Sequence, residues 1–64
     1  MLLAFDIGNT NVMMGVYDGD ELLHYWRFAT DPGRTADEYA VLCQNFFQTA
    51  AMKNEYINKV IISS

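Results

Sequence analysis

Four residues separate the first two apolar runs of this chain, and that spacing fixes how it must begin to fold. Leu2 to Ile7 reads LLAFDI and Val12 to Tyr17 reads VMMGVY, with only Gly8 to Asn11 between them. So short a link joins antiparallel strands, because a parallel pair needs a crossover of a dozen or more residues. Asp18-Gly19-Asp20 then marks a second reversal. Leu22 to Ala29 alternates: Leu22, His24, Trp26 and Phe28 are expected on one face, Leu23, Tyr25 and Arg27 on the other. Its mixed polarity predicts a strand less buried than the first.

The pattern changes after Thr30 to Arg34 (TDPGR), where Pro-Gly punctuates a connection. Thr35-Ala36-Asp37-Glu38 matches a capping box: the Thr35 hydroxyl can accept from the Glu38 amide while the Glu38 side chain reaches back to the Thr35 amide. Tyr39, Leu42, Cys43, Phe46, Phe47, Ala50 and Ala51 then form one apolar stripe at helical spacing. Asp37 and Glu38 suit the positive end of the helix dipole. The helix is predicted to end near Met52 to Asn54.

Val60-Ile61-Ile62 reads as a short buried strand, and a helix leading into it predicts pairing parallel to the first strand. The expected order is β-β-β-α-β, an α/β arrangement. One helix covers one sheet face, whereas a sheet with a parallel strand ordinarily has both covered. Residues 1–64 are therefore expected to form an incomplete domain, the opening part of a larger one.

Composition narrows the function classes. At 64 residues the chain is one domain at most, and a domain of that size buries only about 60% of its unfolded surface. A hydrophobic content of 52% argues against disorder. The apolar runs are too interrupted for a membrane span or a secretory signal. A formal net charge of -4 argues against nucleic acid, which rewards clustered Lys and Arg. Cys43 is the one cysteine, which fits a reducing compartment such as the cytoplasm.

The first hairpin tip carries more chemistry than a reversal needs. Asp6 ends a strand and could hold a hard cation such as magnesium, directly or through water. Gly8 would let the backbone approach a ligand and adopt a positive φ. Successive amides there could converge on an anion, with Asn9, Thr10 and Asn11 adding neutral donors. The same residues are also ordinary turn formers, and on their own they read as a plain hairpin turn. No lysine follows a glycine-rich run, so this is not a Walker loop.

The wider pattern tips that balance. A phosphate hairpin, a third antiparallel strand, a helix and a parallel strand resemble the opening of the ribonuclease-H-like fold of the acetate kinase, sugar kinase, heat-shock and actin superfamily. More closely, MLLAFDIGNTN, GVYDGDEL, WRFATD, RTADEY and VIISS together resemble the N-terminal part of type III pantothenate kinases, over essentially the whole chain. The resemblance implies an actin-like ATPase domain whose hairpin contacts the ATP phosphates. It carries over to Asp6, Ile7, Gly8, Asn9, Thr10, Asn11, Val12 and Met13, with Asp6 as the metal-associated carboxylate. It further implies transfer of the γ-phosphoryl group of ATP to pantothenate, the first step of coenzyme A synthesis. Magnesium, a monovalent cation (potassium or ammonium) and a homodimer belong to the same implication. The family's catalytic aspartate, pantothenate pocket and second phosphate motif have no counterpart in residues 1–64, so no catalytic residue is assigned and the chain alone is expected to be inactive.

The remaining reactive side chains read as structure. His24 has no suitably spaced partner, and Cys43 lies in the apolar stripe. Met13, Met14, Tyr25, Trp26 and Phe28 read as packing, and Arg27 and Arg34 as solvated surface. Asp18, Asp20 and Glu21 lack the spacing of a calcium loop. Two other classes stay open: an accessory factor in transcription, a role taken by some proteins resembling these kinases, and a non-catalytic interaction module.

Overall fold

A computed structural model describes all residues, 1–64. Three strands come first: β1 (Leu2–Ile7), β2 (Asn11–Asp18) and β3 (Glu21–Ala29). Helix α1 (Ala36–Thr49), a 3-10 turn (Asn54–Tyr56) and strand β4 (Lys59–Ser63) follow. The sheet order is β3-β2-β1-β4. As the spacing requires, β1 pairs antiparallel with β2, and β2 with β3. The strand reached through the helix, β4, pairs parallel with β1.

Register sorts the side chains onto two faces. Leu3 pairs with Val16, Phe5 with Met14 and Ile7 with Val12, and this set faces α1. Ala4 with Gly15 and Asp6 with Met13 point to the other face. The helix lays Phe46 and Phe47 over the first set. The buried cluster is Leu3, Met14, Val16 and Phe47, with Trp26, Phe28, Cys43 and Met52 packed around it. Aromatic contacts knit α1 to β3: Trp26 stacks on Phe46 at 5.5 Å, and Phe28 meets Phe46 at 5.6 Å and Tyr39 at 6.3 Å. His24 stacks on Trp26 at 5.6 Å, which makes it a packing residue. Cys43 Sγ lies 3.8 Å from Met14 Sδ, and burial pushes its thiol pKa up, the opposite of what a nucleophile needs.

The capping box forms as expected. Glu38 N–H donates to Thr35 Oγ1 at 3.2 Å, and Thr35 N–H to Glu38 Oε1 at 3.1 Å. The helix ends earlier than predicted, at Thr49. Ala51 takes a left-handed φ of 56°, with Ala51 N–H donating to Gln48 O and Met52 N–H to Phe47 O. That pair of bonds is a Schellman stop, and Met52 folds back onto the core beside Phe47. Ala51 therefore drops out of the helical stripe and is exposed.

Two further expectations fail for identifiable reasons. β4 is exposed along its whole length, with Ile62 64% accessible, because α1 packs towards β2 and β3 and leaves the β4 edge uncovered. Leu22 lies on the opposite face from His24, Trp26 and Phe28. Val16 pairs with His24 but Tyr17 pairs with Leu22, so one extra residue of β3 bulges and reverses the alternation. Leu22 instead covers Gly15, where an added Cβ would sit 3.1 Å from Leu22 Cδ1. The face bearing Ala4, Asp6, Met13, Gly15 and Tyr25 carries no helix.

Candidate functional site

The tip of the β1–β2 hairpin is built from three linking residues, Gly8, Asn9 and Thr10. Gly8 N–H donates to Asn11 O at 2.9 Å and closes the turn. Gly8 does not use a positive φ, contrary to the sequence expectation; Gly19 is the one glycine that does. Its missing side chain matters for space instead. A Cβ on Gly8 would lie 3.0 Å from Asn11 O, the atom that receives its own N–H. Without a left-handed residue, no alternating right- and left-handed anion nest forms at the tip.

The tip still offers donors. The amides of Asn9 and Thr10 bond to no carbonyl or side chain, and both residues are exposed. The Asn11 side-chain amide donates to Thr10 Oγ1 at 3.1 Å, which holds the two side chains together and leaves the Thr10 hydroxyl proton available. Exposed amides are met by water in the free chain, and an acceptor such as a phosphate oxygen can take that water's place.

Asp6 sits one strand residue before the tip, on the face without a helix. Met13 is its neighbour on β2, and Ser63 its neighbour on β4. Ser63 Oγ is turned to the Phe5 carbonyl at 3.3 Å. The Asp6 carboxylate has no ion-pair or hydrogen-bond partner; Lys53–Glu55 is the one salt bridge in the chain. No group of three or more His, Cys, Asp or Glu gathers anywhere, so a metal here would take one carboxylate from the protein. That suits magnesium, which commonly uses one or two carboxylates plus phosphate oxygens and water.

The eight residues marked by sequence thus divide. Asp6, Gly8, Asn9, Thr10 and Asn11 share the hairpin end. Ile7 lies on the helix-side face, 41% exposed. Val12 is buried, so its side chain is core and only its backbone belongs to the tip. Met13 is half-exposed beside Asp6.

One residue of the site was not foreseen. Thr30, just past β3, donates through its hydroxyl to Gly8 O at 2.8 Å and through its N–H to Thr10 O at 2.9 Å. Its only trace in the sequence is a threonine ending the WRFAT run. Arg34 also departs from the solvated role expected of it. Its guanidinium lies over the Tyr39 ring at 5.2 Å, and its Nη1 is buried without a partner. The intervening loop is ordered by Asp31: Gly33 N–H donates to Asp31 Oδ1 at 2.9 Å, and Arg34 N–H to Asp31 O at 3.0 Å. Arg27 is exposed on the face without a helix, next to Met13 across the strand pair.

Comparison with known proteins identifies the family of the chain. The family model described as type III pantothenate kinase matches residues 2–64. A type III pantothenate kinase of Brevibacillus brevis is 48% identical over 64 residues, covering 100% of this chain and 25% of its own length. Those of Geobacter sulfurreducens (48%) and an Exiguobacterium species (45%) align over the same 64 residues, again 25% of their length. The chain therefore spans about a quarter of the length of the curated relatives it matches. The strand order and the β-β-β-α-β succession agree with the opening of an actin-like ATPase domain. With the family model matched over residues 2–64 and relatives 45–48% identical over the whole chain, this chain belongs to the type III pantothenate kinase family.

Proposed function

We propose that this chain supplies the ATP-phosphate hairpin of an enzyme that phosphorylates pantothenate to 4'-phosphopantothenate, the first step of coenzyme A synthesis. The observation that carries the reading is the pairing of two free backbone amides, Asn9 and Thr10, with an unpaired carboxylate, Asp6, at one hairpin end. In phosphoryl transfer the protein's contribution is mostly positioning and electrostatic stabilisation. Amides fixed towards the β- and γ-phosphates do both, because their dipoles need no reorganisation as charge builds on the transferring group. Gly8 admits the close turn, the Thr10 hydroxyl and the Asn9 and Asn11 side chains add neutral donors, and Ile7, Val12 and Met13 anchor the tip. Asp6 would hold magnesium through its carboxylate, and the bound ion would neutralise phosphate charge.

The acceptor hydroxyl is pantothenate's own, and the base that takes its proton and the pocket that holds pantothenate belong to parts of the family outside these 64 residues. A monovalent cation, potassium or ammonium, and a homodimeric, cytoplasmic enzyme complete the proposal. No helix of the chain is long and apolar enough to cross a membrane.

The test is a chimera in which this chain replaces the matching quarter of the Brevibacillus brevis relative. The expected result is pantothenate-dependent turnover of ATP, with the D6A/T10A pair losing at least a hundredfold in kcat/KM, about 2.7 kcal/mol of transition-state stabilisation. Equal turnover with and without those two side chains removes the phosphate assignment. The 64-residue chain alone should form no phosphopantothenate.

A further inference from the structure

We propose that Thr30 is a positioning residue for the phosphate hairpin, setting the direction in which the Asn9 amide at its tip points. This rests on the reading of that hairpin as the site for the phosphates of magnesium-bound ATP. Asn11 and Ala29 form the last rung between β2 and β3, and Thr30 is the first residue past β3. From there it engages the tip twice: its N–H donates to Thr10 O at 2.9 Å and its hydroxyl to Gly8 O at 2.8 Å.

Peptide planarity gives these bonds a consequence. The carbonyl of Gly8 and the amide of Asn9 belong to one trans peptide unit, so they point in opposite directions. Holding Gly8 O towards the Thr30 hydroxyl turns the Asn9 N–H away from β3 and leaves it free as a donor. Both Gly8 O and Thr10 O are also kept engaged by donors, which prevents carbonyl dipoles from turning towards a polyanion. The tip has no other bond to β3 or α1 that could do this. With no positive φ among its residues, the turn's own device is the Gly8–Asn11 bond, which closes the loop without engaging the Gly8 or Thr10 carbonyl. The backbone bond survives any replacement except proline. The hydroxyl bond is the part that identity at position 30 controls.

The comparison is between Thr30→Val, which keeps the shape and removes the hydroxyl, and Thr30→Ser, which keeps the hydroxyl. Thr30→Ala against Thr30→Ser repeats it without the β-branch should the valine variant not fold. The chimera in which this chain replaces the matching quarter of the Brevibacillus brevis relative, 15N-labelled, is examined by backbone relaxation without ligand and by titration with magnesium and ATP. Thr30→Val is expected to lower the Asn9 amide order parameter into the flexible range, below about 0.6. It should also weaken Mg·ATP about five- to tenfold, the scale of one hydrogen bond. Thr30→Ser should restore both to within about twofold, as the single-bond argument requires. Unchanged order at Asn9, or lowered order with undiminished affinity, overturns the assignment to Thr30. If the chimera with an unsubstituted Thr30 shows no shift at Asn9 or Thr10 on adding Mg·ATP, the phosphate reading fails. The relaxation comparison then decides the clamp: order lost in valine and kept in serine supports it, and order unchanged overturns it.

Discussion

The two hairpins of this sheet reverse the chain by different means. Between β2 and β3 the loop is Gly19 and Asp20, closed between Asp18 and Glu21. Gly19 has a φ of 61°, and Asp20 stays out of the left-handed region. Positive φ at the first loop position alone is the requirement of a type II′ turn, whose twist matches the strands it joins. Nothing lies within 4 Å of where a Gly19 side chain would start. Between β1 and β2 the tip is a residue longer, contains no positive φ, and is tied to a third strand through Thr30. One turn is specified by its own backbone preference. The other is held from outside, and it exposes donors the first does not need.

Glycine substitution gives the sharpest way to break that contrast. At Gly8 an added methyl would meet Asn11 O at 3.0 Å, and a backbone atom in a paired hairpin cannot yield as a flexible side chain can. Gly8→Ala should weaken or break the Gly8–Asn11 bond, costing about 1–2 kcal/mol of stability. By displacing the tip amides it should also weaken Mg·ATP more than tenfold, or about 1.4 kcal/mol. Denaturant titration and nucleotide titration on the same samples check the two effects together. Lost stability with intact affinity would make the first tip a turn like the second.

What the sequence disclosed follows how local each cause is. The capping box was legible because Thr35 and Glu38 are three residues apart and satisfy each other. The antiparallel opening was legible because four residues can join strands in hardly any other way. Asp6 and the Gly8–Asn11 stretch were legible as a candidate site, though Gly8 does not take the positive φ expected of it. Thr30 was not legible, since its partner carbonyl lies 22 residues away and a threonine before Asp-Pro-Gly looks like any loop residue. The bulge that moves Leu22 to the other face was equally hidden, because period-2 counting assumes an unbroken ladder. Exposure of β4 depends on where α1 comes to rest, which Val-Ile-Ile cannot report.

The second glycine should behave oppositely to the first. Gly19→Ala imposes a left-handed φ on a residue with a Cβ, at a cost of about 1 kcal/mol. For a domain this small that lowers Tm by about 4–8 °C. Mg·ATP affinity should not change, because Gly19 lies at the end of β2 away from the Gly8–Thr10 tip. Gly19→Asn should recover part of the loss, since asparagine tolerates that region. A drop in affinity at Gly19 as large as at Gly8 would mean that global loosening, and not the geometry of one tip, controls binding.

Ala51 completes the argument from the opposite direction, as a left-handed position that lacks the glycine suited to it. Its φ of 56° ends α1, and the two Schellman bonds fix that conformation. The helix boundary was misplaced in sequence because an alanine there reads as one more helical residue, where glycine would have read as a stop. Ala51→Gly relieves roughly 1 kcal/mol of strain but gives the unfolded chain more freedom, which returns about 0.4–1 kcal/mol. The net gain is then small, up to about 0.5 kcal/mol, or about 2–4 °C in Tm. Nucleotide affinity should stay as it was. A lower Tm would show that the strain at Ala51 is less than the entropy it saves, and that the chain ends its helix with alanine at no net cost.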